Sequence, residues 1–152
     1  MRGEEAELIN LRQDSQTIGN RHEEKVERLL RKMGLEEGTD YERHKEFKTK
    51  DGIKLFADFW LPKRTPGIII ECKTWGVAAK SPASSRRRKL QEAFFTLFQF
   101  RHFVRLTKGS RMIIVTGKEN FDLGEEKFLR GELEKLCIVN ISKKDELKKL
   151  LS

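Results

Sequence analysis

Residues 56–75, FADFWLPKRTPGIIIECKTW, decide how this chain folds. Ile68, Ile69 and Ile70 form an unbroken apolar run after Gly67, the pattern of a strand buried on both faces. That run ends in Glu71-Cys72-Lys73, and side chains alternate along a strand, so Glu71 and Lys73 point to the same face. Asp58 closes the apolar stretch before it. A charge taken out of water costs several kcal/mol unless it is paired or bound to a metal. Three charges at the ends of two buried strands therefore call for a chemical reason.

Upstream, Lys50-Asp51-Gly52 is a hairpin turn signal. It joins a weak strand over Tyr41–Phe47 to a well-alternating one over Ile53–Leu61. In the latter, Ile53, Leu55, Ala57, Phe59 and Leu61 share one face, and Lys54, Phe56, Asp58 and Trp60 the other. Residues 4–35 read as helical with a break near Gly19. Val26, Leu29, Leu30 and Met33 form the apolar stripe, and Gly34 is the stop. Downstream, the polar stretch Gly76–Ser85 ends in Ser84-Ser85, a helix cap. A long helix over Arg86–Leu106 follows, carrying Phe94, Phe95, Phe98, Phe100 and Phe103, half of the chain's ten phenylalanines. These rings cover more than one stripe, which suits a central core helix, or a core helix with one face in a dimer contact. A buried strand over Arg111–Gly117, a helix over Gly124–Leu136, a strand over Cys137–Ile141 and a terminal helix capped by Ser142 complete the pattern. The expected fold class is α/β, a mixed central sheet flanked by helices, in α-βββ-α-β order with a C-terminal α-β-α extension.

The chain has 152 residues, enough for one compact domain. It divides into an N-terminal arm over 1–18, a core over 19–117 and an extension over 118–152. No apolar run reaches the roughly 20 residues that span a bilayer, and MRGEEAELINLR has no secretory apolar core. The expectation is a cytoplasmic protein of prokaryotic or viral type, without membrane partner or organic cofactor. Cys72 and Cys137 read as reduced core thiols. His22, His44 and His102 are scattered and read as surface or helix-flank residues. Lysine and arginine number 32 against 24 acids, a formal net charge of +8, which favours a polyanionic partner.

Asp58 and Glu71 supply hard oxygen ligands suited to Mg2+, with Mn2+ as a substitute, and the backbone carbonyl of Cys72 can add a third. Lys73 can orient an attacking water and stabilise charge on a phosphorane-like transition state. A carboxylate on the first helix can complete the set. Glu23 and Glu24 are both available, and Glu23 is preferred because Val26 and Leu30 stand at +3 and +7 from it.

Glu23, Ala57-Asp58 and Glu71-Cys72-Lys73 together resemble the signature of the PD-(D/E)XK nuclease superfamily. The strings NRHEEKVERLL, ADFWLP and IIIECKTW are most similar to its phage and archaeal Holliday-junction-resolving branches. The resemblance covers about residues 19–103, with Ala57 standing where the name-giving proline would. It implies a restriction-endonuclease-like core and a metal-dependent DNA endonuclease. In that reading Glu23, Asp58, Glu71 and Lys73 are catalytic, and Asp58, Glu71 and the Cys72 carbonyl hold the metal. Superfamily analogy also makes Gln91 a possible supporting residue.

Arg86-Arg87-Arg88-Lys89, with Lys80, Lys63 and Arg64, form the expected phosphate track. Nothing resembles a separate base-reading module, which favours branched or junction DNA over a sequence-specific restriction or homing role. Cutting two strands calls for a homodimer. The rivals are a non-catalytic DNA-binding protein on the same fold and an RNA-directed nuclease, for which no aromatic RNA-reading motif is present.

Overall fold

The computed structural model describes residues 19–74, 83–117 and 136–152. Its centre is a five-stranded mixed sheet in the order β1-β2-β3-β4-β5. β1 (Glu42–Lys48), β2 (Lys54–Leu61) and β3 (Ile68–Lys73) form an antiparallel meander. β4 (Arg111–Thr116) and β5 (Leu136–Asn140) continue it in parallel. Helix α1 covers 19–32, α2 is Ala83–Phe103, and α3 is Lys144–Leu151. The expected helix over Gly124–Leu136 falls almost wholly outside the described residues; Leu136 itself opens β5. The arm over 1–18 lies outside them too.

The sheet is covered on both faces, which is why its middle strands read as continuous apolar runs. Ile69, Met112, Ile114 and Ile138 pack with Ala93, Leu97 and Phe100 of α2. Ile68, Ile70, Ile113 and Val115 pack with Val26, Leu29 and Leu30 of α1 and with Leu147 and Leu151 of α3. Cys72 and Cys137 are free thiols against this second cluster. Among the described residues no helix is long and apolar enough to cross a membrane.

Several local expectations hold for visible reasons. Gly34 ends α1 at φ +84° in a Schellman motif: its N–H bonds the Arg31 carbonyl at 2.9 Å, and the Leu35 N–H bonds the Leu30 carbonyl at 3.1 Å. Gly52, at φ +82°, closes the hairpin turn, where the Thr49 N–H bonds the Ile53 carbonyl.

Others need correction. Ser142 does not cap α3; its N–H and hydroxyl both bond Asn140 Oδ1, at 2.9 and 2.8 Å, and Lys143 holds the cap position. Asp58 does not close its strand but sits inside β2. The alternation of β2 is also not continuous. Leu55, Ala57 and Trp60 join the α2-side cluster, while Phe59 and Leu61 join the α1-side cluster. The switch falls at Asp58, opposite His44, whose φ is +52°. The pairing of β1 with β2 steps over these two residues, running from Arg43↔Phe59 to Lys45↔Ala57. A residue at positive φ turns its strand out of the pleat, and that frees Asp58 and His44 to face α1.

Candidate metal-binding active site

Glu23 lies on α1 one turn before the Val26–Leu30 stripe, at the edge of the buried face, and its side chain is 17% exposed. Arg43 on β1 fixes it. One guanidinium nitrogen donates to Glu23 Oε2 at 3.0 Å, and the other to Glu27 Oε1 at 3.2 Å. Tyr41 donates its hydroxyl to Glu27 Oε2 at 2.9 Å, and the Phe59 ring lies 5.9 Å from the Arg43 guanidinium carbon. This clamp holds α1 against the hairpin. His22 ties the same helix to β4. Its Nε2 donates to the Val115 carbonyl at 2.8 Å, and burial holds the imidazole below its usual pKa. It is a buried residue of α1, where a surface or helix-flank position was expected.

His44 is exposed, in keeping with the surface position expected, but it stands beside the acids. Its Nε2 is 2.8 Å from Glu23 Oε2, and Glu23, His44 and Asp58 bring one ligand atom each to within 4.8 Å of one another. Sequence reasoning set His44 aside as scattered, yet a signal was present. Counting outward from the Lys50-Asp51-Gly52 turn sets position 44 opposite position 58, as the register confirms on either side.

Asp58 reaches β3 with its side chain. The β2–β3 ladder ends at Phe59↔Ile70, and just beyond it Asp58 Oδ2 accepts the Cys72 N–H at 2.7 Å. Cys72 therefore meets the acid through its N–H. Burial raises the Asp58 carboxyl from 3.8 to about 6; the Cys72 N–H opposes this, the Glu23 charge adds to it, and Lys73 and His44 oppose it. Glu71 is buried, with Oε1 bonded to nothing among the described residues. Burial, and then the Asp58 charge, hold its carboxyl well above the usual range, against the pull of Lys73. Burial likewise raises the Cys72 thiol, so it is not a thiolate nucleophile. A cavity of about 190 Å3 beside these groups is lined by Gly19, His22, Glu23, Cys72, Lys73, Thr74 and Glu92.

Glu23 and Asp58 thus meet, with His44, in one cluster, and Glu71 and Lys73 lie near enough to Asp58 to act on it electrostatically, while Glu24 is exposed. The donor set fits a divalent cation: carboxyls disfavoured in their charged form by burial and by each other, one buried oxygen without a partner among the described residues, and an imidazole at the rim. The phosphate track fares differently. Lys63 pairs with Asp40 at 3.5 Å, and Arg64 donates to the Leu151 carbonyl at 2.7 Å, so Arg64 fastens a loop to α3. Arg88 is exposed beside Glu92 on α2 at 3.9 Å. Lys80 and the side chains of Arg86, Arg87 and Lys89 lie outside the described residues. Gln91 is exposed and does not line the cavity; its neighbour Glu92 does.

No family model matches the chain, and no curated protein matches it. Among solved structures it is similar to a chain titled "Crystal Structure of Protein of Unknown Function AF1548", at 18% identity and a TM-score of 0.55. That likeness covers 80% of this chain and 59% of the other, so this chain spans little more than half of that protein's length. It shows a shared α/β fold.

Proposed function

We propose that this chain is a metal-dependent DNA endonuclease with a restriction-endonuclease-like core, acting on branched or junction DNA as a homodimer. The observation that carries the reading is Glu71. A buried carboxyl oxygen without a partner among the described residues, beside the Asp58 carboxyl and two residues from Lys73, is costly to ionise there unless a cation completes it. Asp58 and Glu71, with the Cys72 carbonyl, would hold Mg2+ or Mn2+, and Glu23 and His44 would close the side nearest α1. The bound cation would supply a water of lowered pKa and charge neutralisation at the phosphoryl oxygens.

The chain's own residues do the rest. Lys73 lines the open cavity, and its ammonium hydrogen-bonds the attacking water and the non-bridging oxygen that gains charge. Water adds to phosphorus, the bond from phosphorus to one ester oxygen breaks, and a proton passes to that oxygen as it leaves. Arg43 keeps Glu23 in place against the like charge of Asp58. The net charge of +8 supports a polyanionic substrate.

The test is cleavage of labelled linear duplex, single-stranded, flap and four-way-junction DNA with Mg2+ and with Mn2+, beside Glu71→Ala and Lys73→Ala. The expected result is metal-dependent cutting, fastest on a branched substrate and at least a hundredfold slower in both variants. Cutting of one linear sequence alone would move the chain to the restriction or homing class. Tight binding with no cutting under either metal would leave a DNA-binding protein on this fold.

A further inference from the structure

One concavity of the described chain is lined by cations and lies away from the phosphate track that the sequence suggests. It lies between α1 and α3, in a cavity of about 510 Å3 lined by Lys25, Arg28, Leu29, Lys32, Ile141, Ser142, Lys144 and Lys148. Five of these residues are cations and none is an acid. Leu29 and Ile141 are buried and make the floor, while the five cations are exposed around it. Among the described residues none of the five is ion-paired. Arg31, on the same helix, is paired with Glu27 and Glu37. Asp145 and Glu146 are exposed in the first turn of α3 and do not line the cavity.

The spacing is regular. Lys25, Arg28 and Lys32 follow one another at helical intervals on one flank of α1, and Lys144 and Lys148 do so on α3. Glu23 and Glu27 occupy the other flank of α1, facing Arg43. The helix is therefore polarised, with acids toward the candidate active site and cations toward the groove. Lys25 and Lys32 are seven residues apart, about 10 Å along the helix axis at 1.5 Å per residue. One strand of duplex carries a charge about every 3.4 Å, so this row spans about three phosphates. A small anion with one or two phosphates would leave part of the row unmatched, whereas a polymer backbone matches all of it.

We propose that the α1–α3 groove is a second nucleic-acid phosphate tract, separate from the scissile one, that holds an arm of branched DNA not being cut. This rests on the nuclease reading for its substrate, while the contacts themselves need no catalysis. The floor of Leu29 and Ile141 accepts the sugar face, and the cations take the phosphates without reading sequence.

The test is equilibrium binding of a labelled four-way junction, followed by anisotropy over a range of salt. The protein is Glu71→Ala in Mg2+, so that nothing is cut. Into it go either the groove triple Lys25→Ala, Arg28→Ala and Lys32→Ala, or a control triple of equal charge, Lys48→Ala, Lys50→Ala and Lys108→Ala. At about 0.9 per phosphate contact, the groove triple should flatten the slope of log affinity against log salt by about 2 to 3. It should also weaken binding at least tenfold, while the control changes the slope by less than about 1. Equal effects from the two triples, or none from either, would overturn the proposal. So would flotation with phosphatidylserine vesicles that the groove triple abolishes while DNA affinity stays unchanged. Failure of the nuclease reading looks different: the wild-type chain cuts no DNA while the groove triple still loses junction affinity.

Discussion

Asp58 keeps its proton up to about pH 6 in the folded chain because burial disfavours its charge, whereas the unfolded chain releases it in the usual range near 3.8. Between those values the folded state holds more protons, so the contribution of Asp58 to stability falls as pH rises through that interval and stays low above it. Asp58→Asn removes the charge and retains an oxygen to accept the Cys72 N–H. In metal-free protein the variant should melt close to wild type near pH 4. It should be more stable by about 1–3 kcal/mol from pH 7 upward, a gain of several degrees. Added Mn2+ or Mg2+ should reverse the order, since only wild type gains the stabilisation of a bound ion. Two parallel melting profiles across pH 4–8 would refute this account of the carboxyl. In the proposed site, His44 would set which ion is preferred. Imidazole suits transition metals better than Mg2+, and asparagine tolerates the left-handed backbone that His44 adopts at φ +52°. His44→Asn should therefore fold normally, bind Mn2+ about tenfold more weakly and leave Mg2+ affinity within about twofold, as measured by calorimetry without DNA.

At the scale of elements, the β2–β3 connection is tightly packed at Gly67. A Cβ on Gly67 would stand 2.5 Å from the Trp60 ring, and Trp60 is buried edge-on against Phe47 with centroids 5.6 Å apart. The Gly67 carbonyl also accepts the Arg111 N–H that begins β4. Gly67→Ala should cost about 1–3 kcal/mol through displacement of that ring, read as a lower urea midpoint with an unchanged slope. An unchanged midpoint would mean the ring has room to move. The same region shows what the sequence makes legible. The Ile68–Ile70 run, the Gly34 stop and the Gly52 turn each express a local cause, either an apolar run or a residue free to take positive φ, and each stands where it was read. Glu71 and Lys73 were legible for the same reason, since charges at the end of a buried run are conspicuous. The face switch of β2 was not, because it arises from His44 leaving the pleat, which apolar alternation cannot register. The partners of Arg64 and Lys63 were not legible, because a cation beside a strand looks alike whether it meets phosphate, a carbonyl or Asp40.

For the molecule as a whole, the outer face of α2 is one of two exposed apolar areas of the described chain, the other being Ile53 and Phe56 at the β1–β2 hairpin. Phe95 and Phe103 are 60% and 53% exposed, and Leu106, just beyond the helix, is 68% exposed. Phe94, Phe98 and His102 stack along the flank of the helix with centroids 6.4 and 4.2 Å apart. The opposite side of the helix, with Ala93, Leu97 and Phe100, already fills the core. An aromatic stripe of this length in water is a liability unless covered. A two-fold axis through α2 would lay the stripe on its own copy, ring against ring, in an isologous contact. Such a dimer would carry two candidate sites on a two-fold frame, which matches the symmetry of a four-way junction cut on two opposed strands. Sedimentation should give a mass about twice the 17.8 kDa chain. Phe95→Glu combined with Phe103→Glu should halve it, with little loss of melting temperature because both side chains are exposed. In that monomer the two incisions of a junction should become uncoupled, so that singly nicked product accumulates. A wild-type mass of one chain under conditions where both strands are still cut together would rule out the dimer and assign the exposed rings to another partner.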